Sequence, residues 1–156
     1  GATFKARRAD ENAEFVASVE REIDLLFRAA AAPDQAAARA LAREARDLMQ
    51  ARRARWFSGA DVSLTEAEDI WLTFEGSGQW LGYQWMVHPS GGGVDAAAAM
   101  PNFARRGRWW TQKQGIALAF VVDRLAPFDW KAQAFGAGGQ TLTEMLDLAL
   151  ASTDQQ

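Results

Sequence analysis

Apolar positions along this chain recur at helical spacing almost from end to end. Phe15, Val19, Ile23, Leu26 and Ala30 follow one another at three- and four-residue steps and predict a first helix over 10–31. Asp10 and Glu11 in its first turn and Arg28 near its end suit the helix macrodipole. Pro33 and Asp34 punctuate. Ala38, Leu41, Ala45, Leu48, Met49 and Trp56 then predict a second helix over 35–57. Arg39, Arg43, Arg46 and Arg53 share its outer side with Glu44 and Asp47 interleaved, a pattern read as a solvated face in preference to an anion-binding one. After a turn at 58–61 comes the central stretch 65–88, TEAEDIWLTFEGSGQWLGYQWMVH. It ends at Pro89 and a glycine run, 90–93, read as a flexible linker or loop.

The rest of the chain continues in the same register. Residues 96–100 suit one helical turn before Pro101. Residues 111–125 are apolar nearly all round, which predicts a buried helix, and Gly115, Ala117 and Ala119 would let neighbours approach it. A short helix over 129–134 is expected, then a last helix over 142–151 opened by a Thr141–Glu144 capping box. No stretch alternates with a period of two, and no internal repeat is found. The expectation is an all-α fold, an irregular bundle of about five helices around a buried central helix. The expected layout is an extension over 1–9 with a tag scar at Gly1, one helical domain over 10–152, and a frayed tail over 153–156.

The central stretch holds the most information. Thr65 and Glu68 have capping-box spacing, and Ser63 is a second cap candidate. Around a helix, Ile70, Trp71, Phe74, Gly78, Leu81, Gly82 and Trp85 fall in one arc of about 120°. Glu75 sits at the edge of that arc, beside Gly78 and Gly82. Two glycines inside a helix cost about 1 kcal/mol each relative to Ala, and a closely approaching neighbour is the expected compensation. A carboxylate beside an apolar stripe and a glycine gap suits a metal ligand or a general acid/base. It equally suits a helix crossing with a carboxylate bonded to an arginine.

Composition narrows the chemistry. The 156 residues are 49% hydrophobic and 24% charged, ordinary for a folded globule. Seven Trp and nine Phe against one Tyr suggest a large core or a ring-lined cleft. A net charge of −3 disfavours a nucleic-acid partner, and no apolar run is long enough for a membrane span. The absence of cysteine excludes disulfides and thiolate chemistry but fixes no compartment. His88, the one histidine, reads as a helix-end residue. It is 13 positions from Glu75, about 20 Å along a continuous helix, so the two cannot share an ion. No strand–turn–helix context supports a nucleophile, and Glu66, Glu68 and Asp69 look like first-turn dipole partners. The segment 104–110, ARRGRWW, reads as a loop anchored by its tryptophans, or else as a basic aromatic rim on a cleft.

The segment Trp71-Leu72-Thr73-Phe74-Glu75-Gly76-Ser77-Gly78-Gln79-Trp80-Leu81-Gly82-Tyr83 resembles the glutamate helix of gluzincin-type zinc metallopeptidases. In that family an HExxH helix supplies two ligands and the catalytic glutamate, and a later helix supplies the third ligand. The resemblance makes Glu75 that ligand, with Gly76, Gly78 and Tyr83 fitting the pattern. The surroundings, an Arg/Ala-rich helix before it and a buried helix after it, resemble the helical C-terminal portion of such a protein over about 10–152. The chain departs from the family in having no HExxH. It therefore carries no complete zinc site of its own: either an HExxH segment lies upstream of Gly1, and zinc could be its cofactor only together with that segment, or the domain kept the fold and lost the metal, and in both cases the chain alone is expected to be inactive. The substrate-cleft candidates are Trp71, Gly78, Gln79, Tyr83, Trp109 and Trp110, with Trp80 as a further wall. The implied partner is that missing segment. The alternative is a non-catalytic helical binding module that uses a Trp/Arg-rich surface around 105–110 to hold a peptide or protein.

Overall fold

A computed structural model describes residues 12–104 and 110–152 of the chain. They form seven α-helices: α1 (Ala13–Ala31), α2 (Gln35–Trp56), α3 (Leu64–Val87), α4 (Ala96–Ala99), α5 (Trp110–Leu125), α6 (Trp130–Phe135) and α7 (Leu142–Ala151). Two short 3₁₀ turns, Gly59–Asp61 and Met100–Asn102, complete the described elements, and none of them is a strand. The fold is all-α, and α3 and α5 are its centre.

The centre is built on α5, whose residues 114–119 are all buried. Such a helix needs partners on several sides, and α1, α3 and α7 supply them. The closest crossing is with α3. A Cβ placed on Gly76 would lie 2.4 Å from the carbonyl oxygen of Gly115, and one on Gly115 would lie 2.7 Å from the Leu72 carbonyl oxygen. The two backbones touch, which only a glycine pair permits. The close approach expected at Gly78 and Gly82 is therefore corrected. Gly78 faces open space and Gly82 makes ordinary contact with the Phe103 ring, while Gly76 does the crossing. Edge-to-face ring pairs flank it: Trp80 on Trp130 at 5.1 Å, and Tyr83 on Phe120 at 4.9 Å.

Arginines close the helix ends. Arg124 donates to the carbonyls of Ala29 and Ala30 at the end of α1. Arg39 and Arg43 donate to those of Ala149 and Leu150 at the end of α7, and Arg46 forms a two-pronged pair with Asp147. The arginine row of α2 is thus not a solvated face. It is the seam that ties α2 to the last helix, and Arg53 turns into the core.

Cap chemistry divides in the same way. Thr141 and Glu144 form their capping box, and Asn12, Asp34, Asp95 and Asp129 each cap the helix they precede. The Thr65–Glu68 box does not form. The cap position of α3 is Ser63, whose side chain accepts no capping bond, and Glu68 is drawn into the core instead. The 90–93 run folds back on the end of α3: the amides of Gly92 and Val94 bond the carbonyls of Trp85 and Met86. It is a helix-terminating turn with Gly93 at φ +62°, not a free linker. No helix among the described residues is long and apolar enough to cross a membrane.

Candidate functional site: the two sides of the central helix

α3 carries two apolar rows. Leu72, Gly76, Trp80 and Tyr83 point into the protein, against α5 and its neighbours. Ile70, Phe74, Leu81 and Trp85 occupy the opposite side and lie in solvent, with exposures of 55%, 74%, 50% and 67%. The rows have nearly the same spacing and are offset by two residues, about 200° around the helix. Periodicity predicts a stripe in each case, and only packing decides which one is buried. Trp71, half-buried at the edge of the outer row, leans edge-on against Phe74 at 6.4 Å.

The inner side also holds a buried charge cluster. Arg52 donates from Nε to Glu22 Oε1 at 2.7 Å, and from Nη2 to Glu22 Oε2 and Glu68 Oε2, both at 3.1 Å. Arg53 donates to Glu68 at 2.7 Å and to Asp69 at 2.7 Å. Thr143 donates to Asp69, and Gln114 to Glu22. The cluster thus joins α1, α2, α3, α5 and α7. The rings of Phe15, Phe57 and Trp110 surround the Arg52 guanidinium at 5.0–5.7 Å. Burial pushes the Glu22 carboxyl up, against the opposing pull of Arg52, and Glu68 adds to the rise. Burial alone would lower Arg52, but Glu68 and Glu22 outweigh it and hold the guanidinium charged. Arg52 Nη1 and Gln114 Oε1 have no hydrogen-bond partner among the described residues. All charged groups here face one another, so the cluster reads as structural.

The sequence carries a signal for this cluster. Glu22 stands on the face of α1 defined by Val19 and Leu26. Arg52 and Arg53 follow Ala45 and Met49 on α2, and Glu68 precedes Leu72 on α3. Charges of both signs at core positions of three helices indicate a buried ion network. Glu68 and Asp69 are accordingly not solvent-facing dipole partners: Glu68 is fully buried and Asp69 is engaged by Arg53 and Thr143.

Glu75 lies between the two sides, half-buried. Its Oε2 accepts a 2.5 Å bond from the Thr111 hydroxyl on α5. No lysine or arginine among the described residues forms an ion pair with it. It is not sealed in the core, and it adjoins Phe74 of the outer row. His88 caps the far end of the same continuous helix, its Nδ1 accepting from the Ser90 amide.

The cleft candidates that are described take different positions. Gly78 is exposed and Gln79 half-buried, Tyr83 and Trp80 are packed inside, and Trp110 stacks edge-on to Phe15 at 6.1 Å. Trp109, with the arginines of the 105–108 segment, lies outside the described residues. Among those described, no three His, Asp or Glu side chains are placed to hold a metal ion. Glu75 alone does not make a zinc site, and Glu68, two turns earlier on the same side of the helix, is bonded to Arg52 and Arg53. The described residues therefore do not fit a zinc centre by themselves. An open cleft of about 670 Å³ lies between the starts of α3 and α7, lined by Val62, Glu66, Ile70, Thr141 and Glu144 among others, away from Glu75. Comparison with family models, curated proteins and solved structures finds no match to this chain.

Proposed function

We propose that this chain is a non-catalytic helical interaction module whose outer face of α3 docks another polypeptide. The observation that supports the reading is the row Ile70, Phe74, Leu81 and Trp85, each at least half exposed on a helix with well-packed neighbours. Scattered exposed apolar residues are ordinary, but four large ones in line on one helix form a continuous patch. Two aromatics anchor it, and Gly78 leaves a gap in its middle that a partner's side chain can enter. The helix is held from behind by the Gly76–Gly115 crossing and by the buried ion cluster. It therefore presents its face without reorganising, which favours binding. The surface proposed is thus on α3; of the 105–110 segment only Trp110 lies among the described residues. Photo-crosslinking tests the reading, with a benzophenone side chain at position 74 or 85 of the full reading frame and a control at exposed Ala40. A discrete adduct at 74 and 85 but not at 40 is expected. No adduct at either face position would overturn it.

One observation favours a second reading. Glu75 borders this face and is held by a hydroxyl instead of a cation, as a ligating carboxylate oriented from behind would be. If this is the helical portion of a gluzincin-like protein, the docked polypeptide is the segment that brings the two histidines. Protein made from the full reading frame would then contain one zinc per chain, lost in Glu75→Gln. A metal-free preparation that stays metal-free on zinc addition would dismiss it.

A further inference from the structure

The exposed row of α3 has a symmetry. Ile70 and Trp85 lie equally far from the point between Ser77 and Gly78, and so do Phe74 and Leu81. These four are the large exposed hydrophobics of the helix, and none breaks the arrangement. We propose that the partner on this face is a second copy of the same chain. The two α3 helices would run antiparallel, with the two-fold axis passing beside Gly78. The inference rests on the docking reading above and names its occupant.

A two-fold interface is self-complementary, so each residue must meet the residue mirrored about the axis. Here Ile70 of one copy meets Trp85 of the other, and Phe74 meets Leu81. Each contact then sets an aromatic ring against a branched aliphatic. The axis falls beside the one position of the row with no side chain, where open space surrounds Gly78. Two helices pack most closely where a glycine stands, so the crossing point and the symmetry centre coincide.

Charge selects the direction. α3 has no lysine or arginine, and of its carboxylates Glu68 and Asp69 are bonded to Arg52 and Arg53 on the inner side, which leaves Glu66 and Glu75, both in its first half. A parallel pair would bring acidic halves together and align two macrodipoles. An antiparallel pair sets each acidic half against an uncharged one and opposes the dipoles. It also brings Glu66 of one copy beside His88 of the other at the rim.

The area sets a small interface. At their observed exposures the four side chains present roughly 500 Å² per copy, or about 1,000 Å² over a pair, the lower bound of a specific interface. The row is about 22 Å long, which lets both ends engage at once.

Sedimentation equilibrium on the whole chain tests self-association. A species of twice the 17.1 kDa chain mass is expected, falling to one chain in Phe74→Glu with helicity unchanged and, at dilutions where both proteins are single chains, the same melting temperature. The chain has no cysteine, so orientation can be read separately. Ile70→Cys and Trp85→Cys proteins, mixed under mild oxidation, should form the mixed disulfide far faster than either forms its own. Faster self-linking of Ile70→Cys would overturn the antiparallel arrangement. A single-chain mass at high micromolar concentration, together with a discrete adduct of another protein at position 74, would overturn self-pairing and leave the docking reading standing. A single-chain mass with no adduct at all would overturn both.

Discussion

The inner and outer sides of α3 invert the usual order. The buried side carries Glu68, fully enclosed and bonded to two arginines, while the exposed side carries Phe74 and Trp85 in solvent. On the inner side each charged group has its counter-charge within 3.1 Å, so removing one member strands the others in a medium that solvates them poorly. On the outer side the four side chains carry no buried charge, and at least half of each is in solvent. Stability and recognition thus reside on opposite faces of one helix, and substitutions on the two should separate them.

The largest effect is expected from the ion cluster. Arg52→Met leaves Glu22 without its cation, beside a Glu68 still held by Arg53, and should cost about 3–5 kcal/mol of unfolding free energy. Urea denaturation measures it, and a loss below 1 kcal/mol would show that water reaches the cluster. The glycines come next. Gly76→Ala forces a methyl group into the Gly115 backbone and should cost about 1–3 kcal/mol or more. Gly78→Ala, two residues away in open space, should gain about 0.5–1 kcal/mol through helix propensity. Equal effects at the two positions would mean that the crossing is misplaced.

The pH dependence is a finer probe of the inner side. The carboxyl of Glu22 titrates above its ordinary value of 4.5 in the folded protein, chiefly through burial. The folded state therefore binds its proton more tightly than the unfolded chain does. That contribution is fully present below pH 4.5 and is lost as the pH rises through the folded value. The stability of wild type relative to Glu22→Gln should accordingly be highest in acid and decline toward neutrality. Paired melts across this range decide it, and the opposite slope would mean that Arg52 dominates over burial. The smallest effect is expected on the outer side. Phe74→Glu should change the folding stability of the single chain by no more than about 0.5 kcal/mol, a null result that melts at dilutions below self-association can contradict.

Much of this was legible in the residues. The long helices, the buried α5 and the Thr141–Glu144 cap follow from periodicity and local hydrogen-bonding chemistry, which a neighbour cannot easily override. The site was less legible for an identifiable reason. With apolar residues at positions 70, 74, 81 and 85 and at 72, 80 and 83, α3 is amphipathic in neither direction, and the richer arc is the one left in solvent. Gly76 read as part of a motif, whereas its shape is what fits α5. Thr65 and Glu68 have the spacing of a cap, but two arginines from α2 compete for the carboxylate and win through two charge-assisted bonds. The arginine row read as solvated because the ends of α7 that it closes lie more than a hundred residues away.

The sequence by itself determined that the chain is helical, where the main helices run, that one of them is enclosed, and that thiol chemistry is absent. These depend on the period of the backbone and on the residues at each turn. Tertiary structure decided which side of α3 meets α5, which charges are buried, and where Glu75 rests. Those depend on steric fit between distant segments: two glycines 39 positions apart must meet before the backbones can touch, and that single contact turns the rest of the helix outward.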